Sequence, residues 1–110
     1  MMFLGWMNVT GDGTELLEPN FCRTWSNGVQ NDRVRYNNDE FEDLVQKSKT
    51  TSESVDRINY LKAANKKILE DAVVVPMYHA ELIAGYASNV KGFDLDGGAQ
   101  FDIKDIDIIG

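Results

Sequence analysis

Apolar residues along the chain fall into short blocks separated by polar stretches, and their spacing predicts where regular structure forms. Met2 to Met7 is an apolar run containing Trp6 and reads as a short buried strand. Asn8-Val9-Thr10-Gly11-Asp12-Gly13-Thr14 follows as a loop, because Gly, Asn and Asp favour turns through left-handed backbone angles and side-chain bonds to their own main chain. Glu15 to Cys22 reads as one or two helical turns interrupted by Pro19. Arg23 to Asn38 has no apolar period and reads as irregular surface.

Helical periodicity begins after that. Asn37 with Glu40 three residues on offers a capping box, and Phe41, Leu44, Val45 and Ser48 line one face, predicting a helix from about Asp39 to Lys49. Thr51-Ser52-Glu53-Ser54 breaks the pattern and restarts it, with hydroxyls able to cap the next helix. In that helix Val55, Ile58, Leu61, Ala64, Ile68, Leu69 and Ala72 recur at core spacing, while Asp56, Arg57, Lys62, Lys66 and Lys67 are expected to face outward.

The remainder reads as extended chain. Val73 to Tyr78 is β-branched and short, which predicts a largely buried strand whose Pro76 needs an edge. Glu81 to Tyr86 continues extended. Val90 to Phe93 and Asp96 to Gly98 read as turns, and Asp102 to Ile108 alternates enough for a half-buried strand. The expected class is α/β, with helices packed on a mixed sheet.

Composition narrows the possibilities. At 110 residues, 43% hydrophobic and 26% charged, the chain fits one globular unit and excludes a disordered or collagen-like polymer. A free-standing domain of this size buries roughly two-thirds of its unfolded surface, too little to enclose a large ligand cavity unaided. Eleven Lys plus Arg against 18 Asp plus Glu give a net charge of −7, and the basic residues are dispersed, so nucleic acid is not an expected partner. One cysteine, Cys22, excludes an internal disulfide. The opening residues carry neither a positive leader nor a cleavage site, and the abrupt apolar start predicts a fragment of a longer protein.

Few residues suggest chemistry. Cys22 and His79 are the only thiol and imidazole, and nothing flanking them resembles a nucleophile elbow or an oxyanion turn, so no enzyme is expected. Asp94, Asp96 and Asp105 imitate parts of a calcium loop, but Gly98, Ala99 and the short Asp105 stand where a ligand, a turn glycine and a Glu belong. Neither a metal nor a cofactor is expected. Trp6, Asp12 and Trp25 remain, two indoles and a carboxylate in or beside turn-rich segments. Asp12 has no charge partner nearby in sequence. A core role for the indoles and a turn-bonded carboxylate are the plain alternatives.

Leu4-Gly5-Trp6, Thr10-Gly11-Asp12, Pro19-Asn20-Phe21, Tyr36-Asn37-Asn38-Asp39-Glu40-Phe41, Val75-Pro76-Met77-Tyr78 and Lys91-Gly92-Phe93 occur in an order and spacing with a family likeness. The chain resembles, over essentially its whole length, the C-terminal portion of the family 5 extracellular solute-binding proteins, the peptide, glutathione and nickel receptors of ABC importers. The resemblance implies a two-lobe periplasmic binding fold, with residues 1–80 completing the distal lobe and residues 81–110 crossing back into the proximal lobe. It implies capture of a peptide or related small solute and delivery to permease subunits. It also implies a periplasmic or extracellular place, with lipid anchoring through a missing N-terminus one option. Trp6 and Asp12 then face the ligand cleft, Asp12 opposite an α-ammonium group, and Trp25 packs on apolar parts of the ligand. Alone, such a fragment exposes apolar surface and is expected to dimerise. A small, acidic, self-contained interaction domain is the alternative from another class.

Overall fold

Helix α1 (Gly13–Phe21) starts where Asp12 accepts a hydrogen bond from the Thr14 amide, and it continues through Pro19 to a cap at Cys22. The computed structural model that shows this describes residue 3 and residues 5–24, 28–30 and 33–110. The expected interruption at Pro19 does not occur; the proline removes one amide donor, and Asn20 adds a side-chain bond from Nδ2 to the Leu16 carbonyl at 2.8 Å. Ahead of α1, Phe3 and residues 5–7 form no strand and are exposed; Met2 and Leu4 lie outside the described residues.

Helix α2 (Asp39–Thr50) has Asp39, Glu40 and Glu42 in its first turn and Lys47 and Lys49 in its last, each sign opposing the helix dipole at its end. Its cap is Asn38, whose Oδ1 accepts from the Phe41 amide at 3.1 Å. The capping box expected from Asn37 and Glu40 does not form. Asn37 instead accepts from Arg23 Nη1 at 2.9 Å, and Glu40 pairs with Lys67 at 2.9 Å.

Helix α3 (Ser54–Glu70) begins behind Glu53, whose side chain makes no capping bond. It ends in a Schellman turn: the Val73 amide donates to the Ile68 carbonyl and the Ala72 amide to the Leu69 carbonyl, both at 3.1 Å. Ala72 therefore sits past the helix end at φ 51°, not on its core face as expected.

The three helices pack on one another around Leu17, Phe21, Cys22, Phe41, Val45, Ala64 and Ile68. Phe41 lies at the centre, edge-to-face with Phe21 at 6.4 Å and Tyr36 at 5.3 Å. Ion pairs Lys49–Glu18 and Lys67–Glu40, both 2.9 Å, tie α2 to α1 and to α3. Only one stripe of α3 is used. Leu61, Ala64 and Ile68 recur at three and four residues and meet the core, whereas Val55, Ile58 and Leu69 fall roughly 90–150° round the helix and stay exposed.

Beyond α3 the expected strands are largely missing. Val73 and Val74 pack against the core, but Val75 is 77% exposed, Met77 70% and Ile83 87%, and residues 75–86 belong to no ladder. A strand needs a neighbour to satisfy its amides and carbonyls; β-branched sequence supplies the propensity and not the partner.

Among the described residues the one ladder is an antiparallel ribbon, β1 (Val90–Lys91) against β2 (Asp107–Ile108), with Val90 opposite Ile108. The turn expected at Val90–Phe93 is thus half strand, turning at Gly92 with φ 73°; a Cβ there would lie 1.9 Å from the Asp105 carbonyl oxygen. The expected strand from Asp102 shrinks to two residues because the Lys104 amide bonds to Asp102 Oδ1 at 2.9 Å and turns the chain. Tyr86, Phe93 and Phe101 stack at 4.9 and 5.6 Å beside the ribbon. The class is α/β in the coarse sense of a small mixed fragment, without the mixed sheet expected beneath the helices among the described residues.

Candidate functional site

The loop Asn8–Thr14 is closed by its own side chains. Asn8 Nδ2 donates to the Asp12 carbonyl at 2.8 Å, and Asn8 Oδ1 accepts from the Gly11 amide at 2.7 Å. The Glu15 carboxylate, in the first turn of α1, reaches back to the Val9 amide at 3.2 Å, the Thr10 amide at 2.8 Å and the Thr10 hydroxyl at 2.6 Å. These bonds stabilise its charged form and hold its carboxyl below the usual range, the Thr10 hydroxyl contributing most.

Asp12 sits at the centre of this arrangement. Its Oδ1 accepts from the Thr14 amide at 2.8 Å and the Thr14 hydroxyl at 2.6 Å. Its Oδ2 accepts from Arg57 Nη2 at 2.6 Å, forming an ion pair whose side chains are 30% exposed at Arg57 and 35% at Asp12. The carboxyl is held below its ordinary value, chiefly by the two Thr14 bonds, with Arg57 adding to them and burial opposing. A carboxylate offers about four acceptor positions, so three bonds leave Asp12 one.

Arg57 was expected on the outer face of α3. It lies instead on the core-facing stripe, four residues before Leu61 and seven before Ala64, and that register was the available signal: a cation on an apolar stripe requires a counter-ion. The partner is 45 residues away in sequence, which is why no local reading supplies it.

Trp6 precedes the loop and is 40% exposed, with the Arg33 guanidinium 5.4 Å from its ring centroid. Arg33 also donates to Asn20 Oδ1 at 3.2 Å, so Trp6 is connected to α1 through one arginine. Trp25 lies outside the described residues. Beside it in sequence, Thr24 pairs with Gln30 in an isolated bridge, and Arg23, Thr24, Gln30, Arg35, Tyr36 and Asn37 help line an open groove of about 640 Å³.

Several titratable groups that the sequence singles out are buried or bonded within their own turns. Burial, with Glu42 and Glu18 adding, pushes the Cys22 thiol up to about 12, so it stays protonated at neutral pH. Asp94, Asp96 and Asp102 accept bonds from amides in their own turns, and among the described residues no three His, Cys, Asp or Glu side chains converge as metal ligands. No helix among the described residues is long and apolar enough to cross a membrane.

No family model matches the chain, and no solved structure matches it. Curated proteins do. The chain is 24% identical over 109 residues to the glutathione-binding protein GsiB of Escherichia coli (strain K12), and equally so to those of Shigella dysenteriae serotype 1 (strain Sd197) and Shigella flexneri. The match takes in 98% of this chain and 21% of the relative, so the chain spans about a fifth of the length of the curated relatives it matches.

Proposed function

We propose that the chain is the C-terminal part of the solute-binding component of an ABC importer, capturing a peptide or related small solute outside the cytoplasmic membrane and delivering it to permease subunits. The observation that carries this reading is the similarity of nearly the whole of this chain to about a fifth of glutathione-binding proteins, 24% identical over 109 residues. Exposed apolar chain from Val75 to Ile83 supports it, because a two-lobe receptor would cover that segment and an isolated domain would not. Residues 1–80 then complete the distal lobe, and residues 81–110 cross to the proximal one. Selection works by binding the closed state more tightly than the open state, with no chemical step.

In this reading Trp6, the loop holding Asp12, and Trp25 border the ligand. The remaining acceptor position on Asp12 takes an α-ammonium group, a charge-assisted bond contributing roughly 1.5–3 kcal/mol, or about 10- to 150-fold in affinity. The reading frame upstream of Met1 should continue for several hundred codons, and a start signal at Met1 overturns the assignment. Calorimetry on the complete protein, with reduced glutathione and the analogue bearing hydrogen in place of its α-amino group, tests the site. Wild type should prefer glutathione by that factor, and Asp12→Asn should narrow the gap. Equal affinity of wild type for both ligands rejects the role of Asp12.

A further inference from the structure

Every polar bond of the Asn8–Thr14 loop described above is internal or made with Glu15, with one exception: the Arg57–Asp12 pair at 2.6 Å. Among the bonds described, it is the one that joins the loop to α3. One turn along α3, Leu61 packs against the first residue of α1; a Cβ on Gly13 would stand 3.2 Å from Leu61 Cδ1. Arg57 and Leu61 therefore grip the junction of loop and helix from the same face, one through charge and one through contact.

We infer that Arg57 is a positioning residue, latching the ligand-facing loop to the helical body through Asp12. This rests on the reading that the loop borders the ligand. The physical basis is leverage. Glu15 and the Asp12 cap tie the loop to the start of α1, and Asp12 alone carries a bond from the loop across to α3. Holding Oδ2, the oxygen the cap does not use, fixes where the loop amides stand relative to α3. Because the pair is partly shielded from water, it is less weakened by solvent than a fully exposed pair. Asparagine at position 12 keeps the cap, since Asn and Asp cap equally well, and without ligand it removes the charge that Arg57 needs.

The test has one arm without ligand and one with it. In the full chain, backbone order parameters of Thr10, Gly11 and Asp12 measured by NMR should fall from about 0.85 to below about 0.6 in Arg57→Gln, while Phe41 and Val45 in α2 stay unchanged. Asp12→Asn should give the same loss, the double variant no more, and Arg57→Lys should recover part of the order. Unchanged loop order, or an equal loss throughout α2, overturns the latch. Reduced glutathione is then titrated against the complete receptor, with indole fluorescence as the signal, and Arg57→Gln should weaken binding at least about tenfold. If wild type does not respond to glutathione while loop order does respond to Arg57→Gln, the latch stands and the glutathione reading fails. If binding is unchanged while loop order falls, Arg57 holds the loop but does not position it for ligand, and the positioning role is overturned.

Discussion

Ala72 occupies a backbone angle, φ 51°, that costs an L-residue about 1–2 kcal/mol, because the Schellman turn ending α3 requires it there. Glycine adopts the angle without that cost but loses more freedom on folding, which offsets part of the gain. Ala72→Gly should therefore stabilise the chain by about 1 kcal/mol, read as a higher midpoint of urea denaturation with unchanged slope; a lower midpoint refutes the argument. The periodicity of α3 placed Ala72 on the apolar stripe because it counts side chains and is blind to the helix end. Arg57 is the converse case. Its register on the buried stripe was legible, its partner was not, since Asp12 reaches it only through the fold. Asp12 itself stands out in sequence as a turn acid, but its use as both cap and counter-ion depends on α1 starting at Gly13 and lying against Leu61.

Between elements, Asp71 forms a clasp that no sequence pattern reveals. The Tyr36 hydroxyl donates to its Oδ2 at 2.5 Å and Asn38 Nδ2 donates to the same oxygen at 2.8 Å, joining the entry of α2 to the exit of α3. The Tyr36 bond, followed by Asn38 and Lys67, holds the Asp71 carboxyl below its ordinary value. A carboxyl depressed in the folded state contributes stability fully above its unfolded value near pH 3.9, and the contribution disappears as pH falls through the folded value. Asp12 and Glu15 carry the same sign. The urea midpoint should thus be flat from about pH 5 to 7 and fall below about pH 4, and Asp71→Asn should flatten the acid limb. In Tyr36→Phe the carboxyl of Asp71, followed by NMR, should titrate at higher pH than in wild type; an unmoved midpoint would mean the hydroxyl is not the cause. Helices α2 and α3 were legible because each carries its own period. The strands were not, because pairing is a property of two segments and the sequence of one states only half of it.

At the scale of the whole molecule, the radius of gyration is 18.2 Å, against about 13 Å for a compact domain of similar length. The excess has a physical cause: residues 75–86 run as unladdered chain, with Val75, Met77, Tyr78 and Ile83 exposed, between a helical body and a two-residue ribbon. Unladdered amides and carbonyls beside apolar side chains favour pairing with another strand, whether from a longer receptor or from a second copy. The net charge of −7 opposes association of copies, but Val73 to Ala80 carries no carboxylate or lysine to impose that repulsion locally. Purified alone, the chain should therefore self-associate in sedimentation velocity as concentration rises, more strongly at 0.5 M salt, where repulsion is screened. Val75→Lys with Ile83→Lys should return it to monomer, because both side chains are exposed and their replacement leaves the core of Phe41, Val45 and Ile68 intact. A wild-type chain that remains monomeric at every concentration with a scattering radius near 13 Å would mean that residues 75–86 fold back on the body. That result would remove the structural support for a larger receptor covering them.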